Sequence, residues 1–235
     1  MITKKITDLQ LAALYKFTRK HFVEHFDVQT ELVDHLANDI EQIWEEKPSL
    51  SFDEARAISF KKFGVFGFMD VVGSRTKAMS KKYYKIMFSI LKDFFRLPQI
   101  MVTLTIFASI YGLLNMFPSY QRYTLLGVFL LFFIVIVVQL YWLQKIKKAR
   151  LKESGKKWLF EEMILNTGGM ASFSYLPIHF SSMFEKDVSY GFYQLVFFSS
   201  FLTIFIIVNY IVAFIIPSKM TELLEAQYPE YKMMA

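Results

Sequence analysis

The pattern of apolar and polar positions divides the chain into three parts. Residues 1–96 mix apolar and charged positions at helical spacing, whereas residues 97–218 contain four stretches free of Lys, Arg, Asp and Glu: 97–121, 123–144, 163–184 and 188–218. A short polar tail, 217–235, follows. The predicted architecture is all-α: a cytoplasmic N-terminal domain of three to four helices and a four-helix transmembrane bundle.

Within the first part, local chemistry marks where helices start and stop. Thr7 and Gln10 form a T-x-x-Q capping box, which opens a helix expected to run to residue 26. Asp27 is placed to cap a second helix reaching about Glu46, with Leu32, Val33, Leu36, Ile40 and Ile43 on one face. Pro48 ends that region; Ser51 and Glu54 make a second capping box, and Gly64 is the natural stop of the third helix. The domain is bounded at 1–65, and residues 66–97 are expected as a basic amphipathic connector, within which 83–95 is expected to lie at the membrane interface.

Each charge at a helix centre costs about 2.5–3.5 kcal/mol on insertion, so the charge-free stretches are the candidate membrane spans. At about 1.5 Å per residue, roughly 20 residues cross the hydrocarbon core. The transmembrane domain is read as 98–216, with spans at 98–117, 123–143, 160–182 and 190–216. The third contains Asn166, Gly168, Gly169, Pro177 and His179; it is either a helix buried among the others or a re-entrant segment. Residues 217–235 read as a cytoplasmic amphipathic tail, resting on headgroups or on the N-terminal domain.

Basic residues set the orientation. Seven lie in 74–96 and seven in 145–157, whereas the other two links hold only Arg122 and Lys186. The positive-inside rule puts both termini and the middle loop in the cytoplasm, as four spans require. The localisation expected is a bacterial inner membrane, multi-pass.

Composition agrees. Of 235 residues, 54% are hydrophobic and 18% aromatic, more than soluble domains carry, and the mean hydropathy is +0.32. The net charge of +6 sits beside the apolar runs, which makes bilayer headgroups a simpler partner than nucleic acid. The absence of cysteine excludes disulfides, thiolate metal sites and a cysteine nucleophile. No signal-peptide core opens the chain, so a mature, non-exported N-terminus is expected.

The pattern Asp27, Glu31, Leu32, Asp34, His35, Leu36, Ile40, Glu41, then Ser51, Phe52, Glu54, Ala55, then Phe63, Gly64 resembles the HAAS-type helical prefix domain over about residues 5–65. Such domains precede transmembrane helices in bacterial signalling proteins, and similar prefixes precede some ABC-type permeases. The resemblance implies association with PadR-type transcriptional regulators. The membrane part resembles no family.

Candidate chemistry is sparse. Glu31, Asp34, His35 and Asp39 cluster on the second helix, where Glu31 and Asp39 each lie four residues from His35 and could favour its protonated ring. That cluster either orients the hairpin, recognises a partner or holds a metal. His21, Glu24 and His25 match H-x-x-E-H, whose histidines would share a helix face and whose Glu24 could act as a general base. A prefix this small offers no cleft for a peptidase, so no metal site is assigned, with His21 and His25 the nearest approach to one. In the membrane part, Asn166, His179 and Asn209 are the polar candidates, with Asn209 able to bond across helices. Glu161 and Glu162, beside Lys156 and Lys157, read as end-of-helix pairing or as the mouth of an ion path. Phosphate-loop, dinucleotide and nucleophile-elbow motifs are absent from the sequence. No catalytic residue and no cofactor are expected.

The leading expectation is a non-enzymatic membrane regulator whose cytoplasmic helices bind a partner protein. The alternative is a small transporter or an accessory subunit of a transport or secretion complex; four spans make a thin pore, so it requires a homo-oligomer or a larger assembly. A membrane enzyme ranks third.

Overall fold

The structure, a computed structural model, describes residues 4–166, 190–228 and 231. Every regular element among them is helical: α1 (Asp8–Lys20), α2 (Phe26–Glu46), α3 (Phe52–Lys61), α4 (Met69–Asp93), α5 (Ile100–Met116), α6 (Gln121–Ser154), α7 (Leu159–Leu165), α8 (Phe192–Tyr210) and α9 (Met220–Gln227). A π-helical turn at Ile211–Ile215 and a helical turn at Ile216–Ser218 continue α8. The chain forms a helical bundle of two compact units, one of residues 1–81 with 154–160, the other of 82–153 with 161–235.

In the first unit both capping boxes form. The Gln10 N–H donates to Thr7 Oγ1 at 3.4 Å, and the Glu54 N–H to Ser51 Oγ at 3.3 Å. The core is built on one face of α2, where Leu32, Val33, Leu36 and Ile40 are fully buried. Each such side chain contributes about 1.5–3 kcal/mol. Leu14 of α1 and Ala55 of α3 close over it.

The first helix is shorter than predicted. It stops at Lys20 because Phe22 takes φ 64°, the left-handed conformation that closes a helix. The Val23 N–H donates to Thr18 O at 3.2 Å and the Phe22 N–H to Arg19 O at 3.1 Å, and buried Val23 seals the turn. The predicted cap of α2 is also different. His25 holds the N-cap position without a side-chain hydrogen bond, and Asp27 lies inside the first turn.

In the second unit α5, α6 and α8 share a core of Ile110, Leu114, Leu125, Phe129, Leu195 and Leu202. Gln121, 3% exposed, ties the three together: its amide donates to Leu114 O at 3.1 Å and accepts the Tyr190 N–H at 2.9 Å. Two helices are long and apolar enough to cross a membrane, Pro118–Ser154 and Phe192–Ser218; Ile100–Met116 is apolar but shorter. Of the expected third span, 160–182, only α7 and Asn166 fall among the described residues. Outward from the core, α6 presents Leu130, Leu131, Ile134, Val138 and Tyr141, all more than half exposed. Contiguous exposed apolar faces are rare on water-soluble monomers.

The described residues of the tail pack inside this unit. Lys82 of α4 donates to Gln227 Oε1, and Arg150 of α6 donates to Tyr231 Oη at 2.9 Å and Thr221 Oγ1 at 3.4 Å. These contacts join the tail to α4 and α6.

Candidate functional site

A groove of about 610 Å³ opens between α2, α3 and the first turns of α4. Its apolar lining includes Leu32, Phe63 and Val71, and its polar lining Glu31, His35, Asp39, Lys62 and Arg75. Positions 31, 35 and 39 recur every four residues, so one stripe of α2 supplies all three. Three of the four acidic and imidazole candidates therefore meet. Asp34, one residue off that stripe, is exposed and outside the groove.

The two carboxylates do not serve His35 as the spacing suggested. Glu31 is paired with Arg75 from α4, and Asp39 with Lys62 at the end of α3. Both cations come from other helices, 44 and 23 residues away, and reach the acids more directly than a ring on the same helix. Ser59 also lines the groove; it is 1% exposed and its hydroxyl has no hydrogen-bond partner. The site thus offers two exchangeable ion pairs, an imidazole and an unsatisfied hydroxyl over an apolar floor. Ser59 Oγ makes no hydrogen bond to His35, the other group of this lining that could act on it. Arg75, Lys62 and Ser59 escaped the sequence reading because nothing local marks them.

The H-x-x-E-H segment is a turn, which removes the shared helix face it needed. His21 Nδ1 donates to Phe17 O at 2.8 Å, since a carbonyl only accepts, and its ring packs on Phe17 at 4.2 Å and Phe60 at 4.6 Å. No cluster of three metal-ligating side chains occurs among the described residues. Glu24 and its neighbours instead hold residues 156–159. Lys157 Nζ pairs with Glu24 at 2.5 Å, and the Phe26 N–H donates to Lys157 O at 2.7 Å. The Lys156 ammonium sits 4.0 Å over the Phe26 ring, and Trp158 packs edge-on against it at 5.4 Å. Asp27 Oδ1 accepts the Leu159 N–H at 3.2 Å, so the predicted cap of α2 caps α7.

In the second unit, Glu161 and Glu162 pair with Arg150 (3.6 Å) and Lys147 (2.7 Å) of α6. Asn166 ends α7 and is exposed; His179 lies outside the described residues. Asn209 is 4% exposed and turns back on its own helix, donating to Phe205 O at 2.8 Å, which leaves Oδ1 without a partner. It does not bond across helices as expected.

The sequence reading also missed Gln139. Pro217 lacks an N–H, which orphans the carbonyl four residues earlier, that of Ala213. The helix widens there, with the Ile216 N–H bonded to Ile211 O, and Gln139 Nε2 of α6 donates to Ala213 O at 2.7 Å.

Against known proteins, the chain matches no family model, no curated protein and no solved structure.

Proposed function

We propose that this chain is a multi-pass inner-membrane regulator whose cytoplasmic helical domain binds a partner protein in the groove between α2, α3 and α4. The observation that carries this reading is the groove itself, with its apolar floor, two ion pairs and unsatisfied Ser59 hydroxyl. A protein segment that brings apolar side chains and its own charges can replace both pairs without leaving a buried charge alone. The resemblance of residues 5–65 to HAAS-type domains suggests a transcriptional regulator as that partner.

The assignment of the N-terminal domain and the middle loop to one side of the membrane draws support from the hold of residues 24–27 on 156–159. Segments that touch lie on one side of a membrane, so an even number of crossings separates them, as two spans at α5 and α6 supply. With both termini cytoplasmic the number of spans is even, and the number proposed is four.

The test is affinity purification from native membranes of the full chain beside Glu31→Arg and Lys62→Glu variants. A regulator captured by the parent chain and lost from both variants at equal expression supports the reading; identical captures oppose it. The second reading, a transporter or accessory transport subunit, is favoured by one observation. Ser199 and Asn209 on α8 are buried polar residues with unpartnered oxygens, and polar groups inside a membrane often mark a path. It requires flux in proteoliposomes that Asn209→Leu removes.

A further inference from the structure

We propose that the distal half of α4 is a docking surface for anionic lipid headgroups, formed by Tyr84, Lys85, Phe88 and Lys92. The inference rests on the reading of this chain as a membrane protein and specifies one surface that reading leaves open. At 3.6 residues per turn these four positions fall within about 100° of the helix circumference. Tyr84 and Phe88 are 55% and 54% exposed, and both lysines are exposed. Neither lysine has an ion-pair or hydrogen-bond partner among the described residues. No carboxylate shares the stripe, and neighbouring Asp93 is turned to Arg96 at 3.6 Å.

The opposite face is occupied. Met87 is buried, Tyr83 is buried enough that desolvation raises its phenol well above the usual range, and Lys82 is bonded to Gln227. The exposed stripe is therefore set by packing. Its position is set as well: Thr103 Oγ1, in the first turns of apolar α5, donates to Phe94 O at 2.7 Å, so the end of α4 is fixed to the start of α5. Two lysines flanking two aromatic rings suit the headgroup layer, where ammonium groups meet phosphates and rings enter the acyl boundary.

The chain contains no cysteine, so one introduced cysteine is a unique labelling position. The experiment places an environment-sensitive nitrobenzoxadiazole label at Phe88→Cys, at Lys85→Cys or, as a control in α6, at Val135→Cys. The full chain is reconstituted in phosphatidylcholine vesicles with and without phosphatidylglycerol, and quenching by nitroxide lipids is read. The expected result is lipid quenching at 88 and 85 that grows with phosphatidylglycerol and is lost from the 88 label in the Lys85→Glu/Lys92→Glu background. Quenching indifferent to phosphatidylglycerol overturns the proposal, as does a label at 88 shielded from water but not reached by lipid nitroxides. Water exposure at 88 with lipid quenching at 135 overturns it and leaves the membrane reading intact. Water exposure at all three positions overturns both.

Discussion

Asp27, in the first turn of α2, accepts the main-chain N–H of Leu159, the first residue of α7, at 3.2 Å. The bond joins two segments 132 residues apart and puts a negative charge at a helix N-terminus, where the dipole favours it. The same stretch of α2 continues to Glu31 and His35 in the groove. One helix therefore carries the candidate binding stripe and grips the loop joining α6 to α7.

Removing that carboxylate should loosen the loop. Asp27→Ala is expected to cost about 1 kcal/mol locally, the usual value of a helix cap, whereas Asp27→Asn keeps most of it. Trypsin cleavage after Lys156 and Lys157 in the full chain measures this: faster in Asp27→Ala, near the parent rate in Asp27→Asn.

The turn at Phe22 stores strain that substitution can release. Phe22 is 81% exposed and sits at φ 64°, so its side chain returns little packing for the left-handed backbone it must adopt. Phe22→Gly is expected to stabilise the α1–α2 hairpin by about 0.5–1 kcal/mol. Slower amide hydrogen exchange at Thr18–Val23 is the readout.

Inside the second unit, Gln139 and Pro217 are coupled through the Ala213 carbonyl. Gln139→Leu leaves that oxygen unsatisfied and is expected to cost about 1–3 kcal/mol. Pro217→Ala restores the missing N–H, so the cost of Gln139→Leu should shrink in that background. Thermal unfolding of the four proteins in one detergent reads the difference.

Glu54 gives a pH dependence with a definite sign. Its carboxylate accepts the Ser51 hydroxyl at 2.7 Å and the Ser51 N–H at 2.9 Å, which together hold its pKa below the usual glutamate range. A depressed pKa means stabilisation present above the unfolded value and lost as pH falls through the folded one. Protection of the α3 amides should drop on acidification, and Glu54→Gln, which keeps an acceptor but does not titrate, should flatten that drop.

What the sequence made legible was what is local. Thr7 with Gln10 and Ser51 with Glu54 formed the boxes their spacing predicted, and the buried face of α2 matched its apolar periodicity. What it hid depends on distance or on an unusual backbone. Phe22 carries no mark of a left-handed turn, a place where glycine is the usual signal. Arg75 and Lys62 meet Glu31 and Asp39 only after three helices have packed, so the four-residue spacing pointed to His35 instead. Pro217 was visible, but its effect falls on Ala213 and is answered by Gln139 on another helix.

The central claim is that the groove between α2, α3 and α4 holds a partner protein. Its most direct test is site-specific photo-crosslinking in native membranes from single cysteines at Ser74→Cys, on the groove, and Glu45→Cys, away from it. The account predicts one cytosolic regulatory protein crosslinked at position 74, absent at 45 and lost when Glu31→Arg is added. No adduct at 74, or one unchanged by Glu31→Arg, would contradict it.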